Sequence, residues 1–383
     1  MRSRIVLEQF KPGVWLRQSP VFQISSQHYP STKLNLAQTP TPIHAWNLPD
    51  LSNGVRVSVK RDDLTGCSFS GNKVRKLEFV LADALNKKAT TVITCGGVQS
   101  NHCRATAVLA RELGMSSHLL MRSRDISNDR TEKSGNPLLS KLVGAQTYLV
   151  KPMPYHTGLR PRVSPVGKRA ACERCVVSCA PSGEVPYMIP VGGSDHCYGL
   201  WGYIQVSMHH TWKLFDVLQG VTDFTDVVMA CGSGGTTAGI AIANYLAGSP
   251  LRVHAITVCD GASYFHGHVN ASLEHLGITA KSEDLVNIID GYKGLGYAQS
   301  TGEELRFIQR VGETTGVLLD PVYTGKAAYG LVREVSQRPS QFVDVSRLLF
   351  IHTGGLFSLF DHRIDSLLPD SLVLPTVTSH DSP

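Results

Sequence analysis

The sequence lacks any apolar run long enough to cross a lipid bilayer, so we expect no membrane-spanning segment and no membrane partner. It also contains no internal repeat, so a repeat architecture is not expected. Its glycine-rich loop at 232–236 matches neither the Gly-x-Gly-x-x-Gly pattern of dinucleotide sites nor a P-loop, because no Gly-Lys-Ser/Thr follows. These absences exclude membrane proteins and the commonest nucleotide-binding signatures.

A disulfide framework and a broad basic surface are also lacking. The nine cysteines are scattered, and Cys95, Cys231 and Cys259 end apolar runs typical of strands, so we expect buried thiols in a reducing compartment. The formal net charge is +6, but the basic excess lies in residues 1–20 and 151–174. Because the basicity is local, we expect no nucleic-acid partner.

The chain of 383 residues has the length of two α/β domains, preceded by an Arg-rich stretch with one acidic residue. We interpret residues 1–38 as a leader. One interpretation of it is a mitochondrial transit peptide, and the alternative is a disordered or lightly docked segment. The expected location is therefore mitochondrial or cytoplasmic.

Alternating strand and helix patterns after residue 55 predict an α/β fold with parallel sheets. The predicted order is strand 55–60, helix 76–88, strand 91–95, helix 101–113, strand 117–121, helix 137–143, strand 146–150, strand 187–191, helix 200–218, strand 227–231, helix 236–246, strand 252–259, helix 263–276, strand 285–289, helices 302–314 and 325–335, and strand 348–352.

Residues 152–186 do not follow this alternation. They contain six prolines, many basic residues and the cluster Cys172, Cys175 and Cys179, but no helical apolar face. Three cysteines without a nearby fourth ligand make a zinc site a weak alternative, so we predict a surface loop and no metal.

One lysine lies in an unusual setting, the segment Ser70-Gly71-Asn72-Lys73-Val74-Arg75-Lys76-Leu77-Glu78. Gly71 and Asn72 precede Lys73 and an amphipathic helix follows, which predicts a constrained loop rather than a helix face. A lysine near other cations has a lowered pKa and can form a Schiff base. Arg75 and Lys76 are expected to be those cations.

Three polar, glycine-rich loops follow predicted strands at Gly96–Asn101, at Gly232-Ser233-Gly234-Gly235-Thr236 and at Thr353-Gly354-Gly355. In open α/β sheets ligands bind outside the carboxyl ends of strands, so we expect the three loops to meet at the same sheet edge and to form one site there. The loop at 232–236 opens a helix, and its N–H groups suit a single phosphate. The structural alternative for this loop is a tight strand-to-helix turn.

Four motifs occur in order: Gly71-Asn72-Lys73-x-Arg75-Lys76-Leu77-Glu78, Gln99-Ser100-Asn101-His102, Asp320-Pro321-Val322-Tyr323 and His352-Thr353-Gly354-Gly355. Together they resemble the pyridoxal-phosphate enzymes of the two-domain tryptophan-synthase β-like fold (fold type II), within the branch of 1-aminocyclopropane-1-carboxylate deaminases and D-cysteine desulfhydrases. The resemblance runs from about Thr39 to about Phe360. It implies a large domain (39–76 and 199–365), an inserted small domain (77–198), a flexible tail (366–383), a pyridoxal 5'-phosphate cofactor and a homodimer.

The resemblance also implies roles for individual residues. Lys73 would carry the cofactor and Lys76 would contact its phosphate. Asn101 would bond the pyridoxal 3-oxygen, and Ser100 would handle protons or attack the substrate. Further residues expected at the substrate or the cofactor ring are His102, Tyr297, Tyr323, Thr324 and Thr353. For Tyr297 and Tyr323 the structural alternative is an ordinary buried aromatic. For Ser100 and Asn101 it is an N-cap at the start of a helix.

Two threonines distinguish between activities in this branch. By resemblance, the cyclopropane deaminases have Glu after the tyrosine and Leu before the glycine pair, whereas this chain has Thr324 and Thr353. This pattern resembles D-cysteine desulfhydrases and predicts a lyase that converts the small amino acid D-cysteine to pyruvate, hydrogen sulfide and ammonia. The alternatives are 1-aminocyclopropane-1-carboxylate deaminase, a D-serine dehydratase or racemase, and a cofactor-binding pseudoenzyme.

Overall fold

The larger of the two main sheets has six strands. The computed structural model describes residues 5–11, 28–51, 54–123, 134–151, 183–194, 198–205, 224–338, 342 and 347–367. The chain order of all strands is β1 (Leu7–Gln9), β2 (Thr32–Leu34), β3 (Ile43–Ala45), β4 (Arg56–Lys60), β5 (Thr91–Gly97), β6 (Ser116–Arg122), β7 (Gln146–Val150), β8 (Pro186–Met188), β9 (Asp226–Cys231), β10 (Arg252–Thr257), β11 (Asn287–Ile289) and β12 (Arg347–Ile351). The large sheet has the order β11-β10-β9-β12-β4-β3, and only the edge strand β3 is antiparallel.

The smaller sheet is parallel throughout, with the order β7-β6-β5-β8. Parallel strands require crossover connections, and these supply the helices that cover the sheets. The helices are α1 (Asn72–Asn86), α2 (Asn101–Glu112), α3 (Gly135–Leu142), α4 (Gly235–Leu246), α5 (Ala262–His275), α6 (Ser282–Leu285), α7 (Gly302–Thr315) and α8 (Thr324–Gln337). Two sheets within one chain confirm the predicted α/β class.

Helix α1 packs against both halves of the structure. Val74 and Leu77 are buried in one apolar cluster with Val92 of β5 and Leu109 of α2. Phe79, on another face of the same helix, belongs to the core that covers one side of the large sheet. Because α1 contributes to both cores, its first turn is held at the junction between the two sheets.

Capping residues define the ends of several helices. Ser100 precedes α2, and its hydroxyl accepts a hydrogen bond from the Cys103 N–H at 3.2 Å. Thr301 and Glu304 form a capping box at the start of α7, and that helix ends at Gly316 with φ 70°. The sequence pattern locates these ends because each depends on neighbouring residues only.

Part of the predicted leader is folded. β1 pairs with β2 in an antiparallel ribbon, and the ring of Phe10 lies edge-on to Phe79 at 5.1 Å and to Trp201 at 5.8 Å. The prediction of a surface loop at 152–186 lies outside the described residues up to position 182, as do the three clustered cysteines within it. Positions 206–218 of the predicted helix 200–218 and positions 368–383 of the predicted tail also lie outside them.

Among the described residues, no helix is both long and apolar enough to cross a membrane. Over the same residues, no group of three or more His, Cys, Asp or Glu side chains is arranged to hold a metal ion.

Candidate active site

The site lies where the carboxyl ends of strands from both sheets meet. β9 and β12 are neighbours in the large sheet, and the loops that follow them start at Gly232 and at His352. β5 belongs to the small sheet, so the loop before α2 reaches the site from the opposite side. The expectation that all three loops share one sheet edge was therefore wrong, although the three loops do converge.

Lys73 lies in the first turn of α1, not in a loop ahead of the helix as predicted. The helix starts at Asn72 because Gly71 adopts φ 105°, and the Asn72 N–H donates to the Thr353 carbonyl at 2.9 Å. A Cβ at Gly71 would lie 2.9 Å from that same carbonyl oxygen. Gly71 thus joins the start of α1 directly to the loop after β12.

The Lys73 amine is buried and weakly bonded. Its Nζ lies 3.5 Å from the Gly192 carbonyl oxygen. Burial lowers the pKa of Lys73 from 10.5 to about 8. The prediction that Arg75 acts as a neighbouring cation on Lys73 was wrong, because Arg75 is neutralised by the buried Asp62 carboxylate at 2.7 Å.

An anion-binding cradle surrounds the start of α4. The loop turns at Gly234 with φ 82°, and the helix N-terminus points its free N–H groups toward this space. The Lys76 ammonium donates to Ser194 Oγ at 3.0 Å, and Ser194 Oγ lies 2.7 Å from Ser233 Oγ. A Cβ at Gly235 would lie 2.7 Å from Ser194 Oγ and 2.9 Å from Lys76 Nζ. One ammonium, two hydroxyls and the helix N–H groups therefore converge, which is the donor set that a phosphate needs.

Asn101 and His102, adjacent in sequence, occupy different environments. Asn101 lines the cavity, and among the described residues its Oδ1 is buried without a hydrogen-bond partner. His102 is directed away, since its Nε2 lies 2.9 Å from Thr94 Oγ1, which in turn donates to the Ile189 carbonyl. Burial, reinforced by the nearby ammonium groups of two lysines, lowers the pKa of His102 well below its usual value, so the imidazole is neutral.

Tyr297 and Tyr323 form a hydroxyl pair, with the two oxygens 2.8 Å apart. Burial raises the pKa of both phenols. Tyr297 also approaches the small sheet, because a Cβ at Gly97 would lie 3.2 Å from its ring. Both phenols therefore remain protonated at neutral pH and can act as proton donors.

The two threonines of the predicted discriminator are placed differently. Thr353 lines the cavity. The Thr324 hydroxyl donates to Asp320 Oδ1 at 2.7 Å and accepts from the Asp320 N–H at 3.0 Å. Thr324 is thus part of the Asp320 network that starts α8, and direct contact with a substrate stays a prediction.

Most of the predicted residues meet in one cavity. Those that line it are Lys73, Asn101, Gly232, Ser233, Gly234, Thr236, Tyr323 and Thr353. Those that adjoin it without lining it are Lys76, Ser100, His102, Gly235, Tyr297 and Thr324. Sequence reasoning missed Asn72, whose Nδ2 donates to Thr236 Oγ1 at 3.1 Å, and the segment Gly192–Ser194. That segment follows β8, so the strand-end rule applied to a fourth strand would have found it.

A family comparison agrees with this arrangement. Residues 34–354 match the family described as "Pyridoxal-phosphate dependent enzyme". The chain belongs to this family. It is therefore an enzyme of the pyridoxal-phosphate-dependent class, with the fold predicted from its four motifs.

Individual relatives cover most of the chain. It is 45% identical over 339 residues, 88% of this chain and 81% of the relative, to the "Bifunctional D-cysteine desulfhydrase/1-aminocyclopropane-1-carboxylate deaminase, mitochondrial" of Arabidopsis thaliana. It is 36% identical to a "Putative 1-aminocyclopropane-1-carboxylate deaminase" of Thermotoga maritima, over 86% of this chain and 97% of that protein. A solved structure of an "ACC deaminase homologue" superposes with a TM-score of 0.70 at 33% identity, covering 88% of this chain and 96% of that one.

The residues present suit pyridoxal phosphate. The cradle at α4 provides the phosphate donors, and Lys73 and Asn101, whose Oδ1 has no hydrogen-bond partner among the described residues, line the same cavity. Lys73 would hold the cofactor covalently, Lys76 and Ser233 would contact its phosphate, and Thr353 would adjoin its ring.

Proposed function

We propose that the chain catalyses β-elimination on D-cysteine, giving pyruvate, hydrogen sulfide and ammonia. The observation that carries the proposal is a cavity lined by an amine of lowered pKa (Lys73), a protonated tyrosine (Tyr323, whose hydroxyl is paired with that of Tyr297) and a threonine hydroxyl (Thr353). The printed name of the Arabidopsis relative supports the same activity.

The reaction removes the α-proton and the thiolate, and one water molecule then replaces the amino group. When bound, pyridoxal phosphate withdraws electrons from the substrate's α-carbon and so makes the α-proton removable. Among the groups in the cavity, Lys73 is the candidate proton acceptor, because its amine is partly neutral at pH 7. The hydroxyls of Tyr323 and Tyr297 are protonated and would donate to the departing sulfur.

The start of α2 would hold the substrate carboxylate. Its first N–H groups have no partners within the helix, and a helix N-terminus favours an anion. Ser100 accepts from the Cys103 N–H, so its own proton remains available for a substrate oxygen. His102 is neutral and bonded to Thr94, which supports an orienting role rather than direct contact.

A second candidate is opening of the ring of 1-aminocyclopropane-1-carboxylate. The names of the Thermotoga relative and of the 33% identical solved structure favour it, and the name of the Arabidopsis relative includes both activities. Thr353 at the cavity argues against it as the main reaction. D-Serine elimination, racemisation and cofactor binding without turnover would use the same residues.

One assay separates these possibilities. Purified enzyme is incubated with D-cysteine, L-cysteine, D-serine and the cyclopropane amino acid, and sulfide, pyruvate, 2-oxobutanoate and ammonia are measured. We expect equal amounts of sulfide and pyruvate from D-cysteine at a higher kcat/KM than for any other substrate. Lys73→Ala provides the inactive control. A preference for the cyclopropane substrate, or cofactor absorbance without any turnover, would contradict the proposal.

We further propose a homodimer, division into domains at 39–76 with 199–365 and at 77–198, and a mitochondrial or cytoplasmic location. The described core supports the division only in part, since α1 crosses position 76/77 as one continuous helix. The name of the Arabidopsis relative supports a mitochondrial location. Light scattering of the purified protein tests the dimer, and fluorescence imaging of residues 1–38 fused to a reporter tests the location.

A further inference from the structure

Lys326 is a fully buried cation with an unusual set of partners. Its Nζ donates to three backbone carbonyls, those of Lys293 at 2.6 Å, Gly296 at 3.0 Å and Gln299 at 2.8 Å. All three belong to one loop, between β11 and α7. Among the described residues, no carboxylate lies within ion-pair distance of this ammonium, so the loop carbonyls provide its solvation.

The position of Lys326 is unfavourable for its own helix. It lies in the first turn of α8, which contains no acidic residue and in which the helix dipole repels a cation. A methionine or glutamine would suit that turn better. The presence of a lysine at this position is therefore accounted for by its bonds to the loop, not by its contribution to the helix.

That loop, residues 293–299, is strained and carries Tyr297. Ala298 adopts φ 60°, a left-handed conformation that costs free energy for a residue other than glycine. Such a conformation persists only where outside contacts impose it. The contacts here are the three bonds from Lys326 and one from Arg363, whose Nη1 donates to the Ala298 carbonyl at 2.7 Å.

The partner of Tyr297 lies at the start of the helix that carries Lys326. Tyr323 directly precedes α8, three residues before Lys326, and its hydroxyl lies 2.8 Å from that of Tyr297. Lys326 therefore ties the loop of one tyrosine to the helix start of the other. The two phenols come from segments 26 residues apart in sequence, and the lysine bridges the same two segments.

We propose that Lys326 is a positioning residue for the reaction: its ammonium holds the loop 293–299 so that the hydroxyl of Tyr297 meets that of Tyr323 at the substrate. This inference rests on the proposed function for its kinetic consequence, but its structural consequence can be measured without turnover. Lys326 itself does not line the cavity, so in this proposal it acts through Tyr297.

The structural test is amide hydrogen exchange of the holoenzyme. In Lys326→Met we expect at least tenfold faster exchange at the amides of Gly296 and Gln299, which close the turns of the loop, with α8 unchanged. The matched control is Lys60→Met, because Lys60 is also a buried lysine bonded to a backbone carbonyl, that of Thr41 at 2.6 Å. It should leave the loop's exchange as in wild type. Unchanged exchange in Lys326→Met would overturn the proposal.

The kinetic test is a double-mutant cycle with Tyr297→Phe. Alone, Lys326→Met should lower kcat by roughly 100-fold, the typical cost of misplacing a catalytic group, with little change in KM or in cofactor absorbance. In the Tyr297→Phe background the same substitution should cost less than threefold, because the hydroxyl that it positions is already absent. If the kcat losses of the two single substitutions multiply in the double variant, the two residues act independently and the proposal is overturned.

The two tests separate this inference from the proposed function. If wild type releases no sulfide from D-cysteine, the proposed function fails, while the exchange of the loop still decides whether Lys326 holds it. If sulfide is released but exchange and the cycle show no coupling, Lys326 is a structural lysine only, and the assignment of the activity stands.

Discussion

Burial of the Lys73 amine has a cost to stability that can be measured in the apoprotein. The side chain is buried, and its only hydrogen bond among the described residues is a long one of 3.5 Å to the Gly192 carbonyl. Lowering the pKa from 10.5 to about 8 corresponds to about 3 kcal/mol of unfavourable free energy for the charged form. The same shift increases the neutral fraction at pH 7 by roughly 300-fold, which is the form that reacts.

We predict that Lys73→Met stabilises the apoprotein by about 3 kcal/mol at pH 7, because the unbranched apolar side chain removes the buried charge. For a chain of this length that corresponds to a melting temperature about 4 °C higher. The two pKa values also determine how this difference in stability changes with pH. Between pH 8 and 10.5 the unfolded wild type binds a proton that the folded protein has lost, so wild-type stability rises with pH and the advantage of Lys73→Met shrinks toward zero.

Thermal unfolding of both apoproteins at pH 7, 8.5 and 10 measures this difference. Lys87→Met is the matched control: it directly follows the last residue of the same helix and its side chain is 59% exposed, so its effect should stay within about 0.5 kcal/mol at every pH. A Lys73→Met protein that is no more stable at pH 7, or whose gain does not depend on pH, would refute burial as the cause of the lowered pKa.

Three further outcomes are expected. Asp62→Asn should lower stability by about 3–5 kcal/mol in chemical unfolding, because it leaves the buried Arg75 guanidinium without its carboxylate; a loss below 1 kcal/mol would contradict this. Thr353→Leu should retain the cofactor by absorbance but lower sulfide release from D-cysteine relative to turnover of the cyclopropane substrate; an unchanged ratio would remove Thr353 as a discriminator. Tyr323→Phe should lower kcat by roughly 100-fold, since the hydroxyl facing Tyr297 is lost, and full activity would assign proton donation elsewhere.

Local sequence alone was enough to predict the alternation of elements and the motif residues. The predicted strand 91–95 and helix 101–113 correspond to β5 and α2, and the Ser100 cap lies where expected. Such features depend on periodicity and on neighbouring residues, so they are readable from the chain. The strand-end rule likewise predicted that the loops at 96, 232 and 353 would meet.

The exceptions concern contacts between distant segments. The start of α1 was predicted too late because its polar first turn hides the pattern, and the Asn72 bond to the Thr353 carbonyl that defines it spans most of the chain. Whether Arg75 acted on Lys73 depended on Asp62, which neutralises it. Both are outcomes of packing, which local patterns do not encode.

The sequence by itself determined which residue types the site contains: a lysine after Gly-Asn, a Ser-Asn helix start, a glycine-rich anion loop and a tyrosine at the start of a helix. Only the tertiary structure decided their chemical states. Desolvation of Lys73 and His102 and the pairing of the two phenols arise when the sheets bring separate loops together. A pKa depends on the whole surroundings of a group, and those surroundings exist only after folding.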